Sequence, residues 1–190
     1  MYFRMVLSTL LLVVIGCKTD TNNDNETNQI ATNIGELSYT APEAWEAQKP
    51  SSSMRKAQYR IPGTDDSGDA ELAVFVFPGS GGTVEANLQR WYGQFKQPDG
   101  SASADQAKLQ KLTVNKLSVT TVYLEGIYLK SKSQMMMGGE IEEIPDSALL
   151  AAIIETGGDP WFFKAVGPRA TLDNNQDEFN QLVQSITLSR

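Results

Sequence analysis

Apolar and polar positions fall into three textures along this chain. An apolar run from Met5 to Ile15 comes first, a polar stretch from Lys18 to Asn33 follows, and from Gly35 onward short apolar runs alternate with turn residues. The third texture predicts a fold. Leu37 to Thr40 reads as a short strand ending before Pro42, and Met54 to Ile61 as a second strand stopped by Pro62-Gly63. Glu71 to Phe77 (ELAVFVF) is apolar at nearly every position, which predicts a central strand. After Pro78-Gly79-Ser80-Gly81-Gly82, Thr83 is placed to cap a helix in which Val84, Leu88, Trp91, Tyr92 and Phe95 share one face.

Gln97-Pro98-Asp99-Gly100 closes that helix, and two β-type runs, Ala107 to Val114 and Leu117 to Leu129, meet at an Asn115-Lys116 hairpin turn. The segment 131–147 carries no strong periodicity and reads as a loop, long for a compact domain. Ala148 to Thr156 and Trp161 to Val166 form a second hairpin across Gly157-Gly158-Asp159-Pro160. Phe179, Leu182, Val183 and Ile186 mark a closing helix after the start signal Asp173-Asn174-Asn175. The predicted order is β-β-β-α-ββ-ββ-α. Consecutive hairpins imply an α+β domain: a mostly antiparallel β-sheet flanked by helices, over residues 35–190.

The first two textures bear on location. The Met5–Ile15 run is 11 residues long, well short of the ~20 a helix needs to cross a hydrocarbon core. With Arg4 ahead of it and Gly16 behind, residues 1–16 have the zones of a signal peptide. Val14-Ile15-Gly16-Cys17 resembles the bacterial lipobox, and Cys17 is the one cysteine in the chain. The resemblance implies cleavage before Cys17 and a diacylglyceryl group on its thiol. Two or three acyl chains hold a protein firmly, since each buried methylene adds about 0.8 kcal/mol. The membrane, through lipid on Cys17, is thus the first expected partner. Lys18 follows the cysteine where Asp often signals inner-membrane retention, so this resemblance points to the periplasmic face of the outer membrane. Residues 17–34 then read as a polar tether, too poor in apolar area to fold, with a reach of ~20 to 25 Å.

Charge and composition narrow the chemistry. The chain carries a net charge of −7, which argues against nucleic acid as a partner. It contains no histidine, which removes the commonest general base and the commonest transition-metal ligand; with Cys17 acylated, no Ser-His, Cys-His or zinc arrangement can be assembled. No catalytic residue, metal site or cofactor is expected.

Several local features invite a site reading and each has a plainer one. The link Pro78-Gly79-Ser80-Gly81-Gly82-Thr83 lies between a strand and a helix and has backbone N–H groups suited to an anion, yet lacks the lysine of a phosphate loop; it reads as a tight turn. Asp65, Asp66, Asp69 and Glu71 supply oxygen ligands without the order of a calcium loop, and read as a solvated acidic turn. Met135-Met136-Met137-Gly138-Gly139 is the most suggestive segment: adaptable thioethers beside flexible glycines suit a partner contact, the alternative being a cap on the core. Trp45, Trp91, Trp161, Phe162 and Phe163 read as core, and Arg90 and Lys164 as stems covering it.

Taken as an ordered set, Tyr39-Thr40-Ala41-Pro42-Glu43-Ala44-Trp45, Asn87-Leu88-Gln89-Arg90-Trp91, Gly126-Ile127-Tyr128, Pro160 to Pro168 and the Phe179–Ile186 helix resemble PsbP-like proteins, whose fold is shared with the Ran-binding Mog proteins. The resemblance implies an antiparallel sheet sandwiched between helices, usually non-enzymatic and usually docked onto other proteins. The expectation is therefore a lipid-anchored envelope protein whose one domain binds a protein or small ligand without chemistry. An accessory subunit of a membrane complex and an envelope hydrolase using Asp and Glu are the alternatives.

Overall fold

The structure is a computed structural model describing residues 31–33, 37–64, 66–132 and 140–189. In chain order the strands are β1 (Ala31–Asn33), β2 (Leu37–Thr40), β3 (Glu46–Gln48), β4 (Arg55–Ile61) and β5 (Ala70–Val76), followed by helix α1 (Val84–Tyr92). Then come β6 (Phe95–Lys96), the single turn α2 (Ser103–Gln106), β7 (Lys108–Val114), β8 (Leu117–Ser131), β9 (Ile141–Glu155) and β10 (Trp161–Pro168). Helices α3 (Arg169–Asp173) and α4 (Gln176–Ser185) and the short β11 (Thr187–Leu188) close the chain. The main sheet runs β3-β4-β5-β10-β9-β8-β6, with β7 also paired to β8, and every pairing is antiparallel. A second, three-stranded sheet is β1-β2-β11. The fold is α+β, a mostly antiparallel sheet between helices, as the hairpin pattern predicts.

Alternation along the strands sends side chains to two separate cores. One face of the sheet packs Leu72, Val74, Ala152, Ile154, Phe163 and Val119 under α3, α4 and the small sheet, with Leu172, Phe179, Leu182, Val183, Leu37 and Tyr39. The other face packs Val122, Leu124, Leu149, Ile153 and Phe162 against Leu88 and Trp91 of α1 and Phe95 of β6. Strand β9 serves both, so every residue from Ser147 to Ile154 is buried. A strand covered on both faces has no reason to alternate polar and apolar, and this one does not.

Local chemistry sets the element ends. Asn115 and Lys116 both take positive φ, 47° and 72°, the backbone of a two-residue turn between twisted strands. Thr83 caps α1 by accepting a bond from the Ala86 N–H at 3.1 Å. The helix stops at Tyr92, short of Phe95: the chain turns at Gly93, and Phe95 pairs with Tyr128 of β8 while keeping its side chain in the same core. Asp173-Asn174-Asn175 proves to be a link between two helices. Asn175 does not cap α4 with its side chain, because its Oδ1 accepts from the Trp45 indole at 2.7 Å and its Nδ2 donates to the Thr171 carbonyl at 2.8 Å.

Two differences from the sequence reading alter the shape. The chain enters the fold at Ala31, where β1 pairs with β2, before the change of texture at Gly35. More consequentially, 141–147 is strand rather than loop, and β8 and β9 form one long hairpin. Pro145 disguises this because it has no N–H to give a ladder; it is tolerated at an irregularity between the Gly126–Ser147 and Tyr128–Ile144 pairs, where Asp146 takes φ 49°. Gly126 itself has φ 154°, and a Cβ there would lie 2.9 Å from the Lys96 carbonyl oxygen.

Candidate functional site

The two faces of the sheet are covered unequally. Helix α1 is only nine residues long and lies over one end of its face, leaving the remainder as the floor of a pocket of about 700 Å³. Ala73 and Phe75 of β5 and Lys164 and Val166 of β10 form that floor; Arg55 of β4 stands at one side, and Tyr128, Ile144, Pro145 and Asp146 of the β8–β9 hairpin stand at the other. The irregularity at Pro145 re-aims the hairpin where it borders the pocket. A second irregularity, in β4, sets Arg55 opposite Phe75 instead of leaving Lys56 there, and carries the Arg55 guanidinium over the Phe75 ring at 5.8 Å.

Lys164 is the centre of the pocket. It pairs with Ala73 on one side and Ala151 on the other, so small side chains flank it in the ladder. Its ammonium donates to the Gln94 amide oxygen, a neutral acceptor. Loss of hydration by burial, then repulsion from Arg90 and Arg55, pushes its pKa down from 10.5 to about 8. The neighbouring carboxylates serve other cations. Glu71 accepts from Arg55 at 2.6 Å and from Gln58 at 2.7 Å. Asp69 accepts from Arg60 at 2.7 Å and from the Gly63 N–H at 3.1 Å, bonds that hold its carboxyl below the usual range. The Tyr128 hydroxyl is raised, mainly by burial and then by the Glu71 charge.

Of the other features singled out in the sequence, the acidic turn contributes Asp69 and Glu71 to this pocket and the rest do not converge on it. Cys17, Asp65 and Met135, Met136, Met137, Gly138 and Gly139 lie outside the described residues. In the Gly-rich link, the Gly79 N–H donates to the Asp159 carboxylate at 2.8 Å, so the amide that suited an anion is taken by the next hairpin's own side chain. Trp45 and Trp161 are buried in the larger core and Trp91 in the smaller. The Trp161 indole nitrogen is a buried polar atom without a partner among the described residues. No cluster of three or more Asp, Glu, His or Cys among the described residues is arranged to hold a metal ion.

Lys164 reaches the site from the sequence candidates together with Asp69 and Glu71, and it does so as part of the pocket floor rather than as a stem covering the core. Arg55 was missed. The signal for Lys164 was present, a lone charge inside the apolar run WFFKAV on the same face as Phe162. Nothing in the sequence marks Arg55, because its orientation depends on an irregularity between two strands.

No family model matches this sequence, and no curated protein is similar to it. Solved structures share its general arrangement at low similarity. One is a Pseudomonas aeruginosa protein of unknown function, PA94, at 13% identity, covering 85% of this chain and 97% of that one, with a TM-score of 0.47. Another is CyanoP, the cyanobacterial PsbP of Synechocystis sp. PCC 6803, at 14% identity, 81% and 87% coverage, and a TM-score of 0.46. A third is LpqN of Mycobacterium tuberculosis, described as involved in cell envelope biogenesis, at 13% identity, 87% and 88% coverage, and a TM-score of 0.45. Scores of this size carry no inference to this chain's function, and its architecture stands on its own strand pairing. Among the described residues no helix is long and apolar enough to cross a membrane.

Proposed function

We propose that this chain is a cell-envelope protein, anchored by lipid on Cys17 at the periplasmic face of the outer membrane, whose α+β domain binds a small ligand without chemistry. The pocket over Lys164 is the observation that carries the binding part. It has the size and the mixture of apolar floor and few polar groups that small-molecule sites share. Commitment of Glu71 and Asp69 to arginines leaves Asp146 as the one pocket carboxylate without such a partner among the described residues, which supports binding over a hydrolysis that needs two facing carboxylates. The lipobox-like Val14-Ile15-Gly16-Cys17 supports the anchor.

The test has two arms. Alkynyl-palmitate labelling in a bacterial host is expected for the native chain and lost in Cys17→Ser; equal labelling of both rejects the anchor. Native mass spectrometry of protein taken gently from the envelope is expected to show a small-molecule adduct, absent in Ala73→Trp, whose side chain fills the floor. Identical spectra from both folded proteins reject the pocket as a binding site.

A docking role is the second reading, favoured by Ile141, an apolar side chain 59% exposed at the start of β9. In that case a mild-detergent pull-down loses its partner when 135–139 are replaced by a Gly/Ser linker.

A further inference from the structure

The charge arrangement around Lys164 says what kind of ligand the pocket takes. An ammonium in a partly buried site normally sits on a carboxylate, and this one does not: of the three carboxylates in the same pocket, Glu71 and Asp69 are held by Arg55 and Arg60, and Asp146 on the hairpin wall forms no ion pair with Lys164. Of the three donors on its ammonium, one is used on the neutral Gln94 oxygen. Arg55 shares its charge with Glu71, whereas Lys164 has no carboxylate bonded to it among the described residues, so at its end of the pocket the ammonium keeps a positive charge without a counter-ion. Beside that end lie Phe75 and Tyr128, with Val166, Ile144 and Pro145 completing an apolar surround.

We propose that the pocket takes an amphipathic organic anion, a carboxylate or sulfonate on an aromatic or branched apolar body, with its charged group on Lys164 and its body against Phe75 and Tyr128. This rests on the small-ligand reading above and adds the chemical class. A negative group there supplies the counter-charge the lysine lacks and takes up its remaining donors. A neutral ligand of the same shape leaves the cation unpaired in a site it has helped to desolvate.

The experiment titrates the full-length chain with 2-naphthoate and with 2-naphthamide by calorimetry. The two probes share one flat body and differ in charge. At pH 7 the anion is expected to bind about tenfold tighter, as charge-assisted bonds are the strong ones. Lys164→Met is expected to abolish that preference while leaving naphthamide affinity within about threefold. Naphthoate affinity should also fall as pH rises through about 8, where the free ammonium loses its proton, and this dependence should vanish in Lys164→Met. The other charged or titratable groups facing Lys164 are Arg90 of α1, Arg55 of β4, Asp69 and Glu71 at β5, Tyr128 and Lys130 of β8, and Asp146 of β9. If both probes bind equally, or the preference survives Lys164→Met, the anion assignment is overturned and the pocket stands. If neither probe binds, the pocket reading falls and the assignment with it.

Discussion

The two faces of the main sheet are made from the same strands and end as different materials. Under α3, α4 and the small sheet, side chains such as Phe163, Leu172 and Phe179 are sealed to 0–1% exposure. Tyr39 and Tyr59 meet there through their hydroxyls at 2.9 Å, and the Tyr59 hydroxyl donates onward to the Thr32 hydroxyl at 3.4 Å. Under α1 the seal covers Leu149, Ile153 and Phe162 and then stops. Beyond the helix end the same face carries Lys164, Glu71 and Arg55, with aromatic rings beside them. The difference teaches that covering, and not strand composition, divides scaffold from site: β10 gives Phe163 to the closed face, and Phe162 and Lys164 to the other.

The largest expected effect is on the closed face. Phe179→Ala should cost about 3–5 kcal/mol, because a fully buried ring leaves a cavity the helix cannot close, whereas half-buried Phe75→Ala on the pocket side should cost about 1 kcal/mol. Urea denaturation reads both. Equal losses would erase the distinction between the faces.

Lys164→Met sharpens it from the other direction. The folded-state pKa of about 8 lies below the 10.5 of a free lysine, so between those values the unfolded chain holds more protons and stability rises with pH. The cost of the buried charge is fully present below pH 8. The variant should therefore be more stable at pH 7 by about 1–3 kcal/mol, and the gain should disappear by about pH 10.5. Denaturation at pH 7, 9 and 10.5 checks this, and a destabilised variant at pH 7 would show the lysine to be structural.

Asn175→Ala removes the acceptor of the buried Trp45 indole and should cost about 1–2 kcal/mol, seen as a lower urea midpoint. The smallest effect is at the surface. Lys96→Ala breaks an exposed pair with Glu143 at 3.2 Å and should change stability by less than about 0.5 kcal/mol. A larger loss would mean that this contact fixes the angle of the β8–β9 hairpin and hence the pocket wall.

Much of the scaffold was legible because it rests on local rules. Thr83 marks the start of α1, Asn115-Lys116 the turn between β7 and β8, and the nearly unbroken apolar run of β5 its place in the sheet interior. What misled was also local. Pro145 reads as a strand breaker until its position at an irregularity is seen, and Asn175 reads as a cap until its amide is found holding Trp45.

By itself, the sequence determined the main strands and the two longer helices, much of the turn chemistry, the lack of histidine and the single thiol beside an apolar run. Those are properties of neighbouring residues and of composition. Only the tertiary structure decided which face would be left open, that Arg55 would swing over Phe75, and that Lys164 would meet Gln94 across 70 positions of chain with no carboxylate to balance it. Pairings between distant strands set those outcomes, and a one-residue irregularity is enough to exchange the side chain that faces the pocket for one that does not.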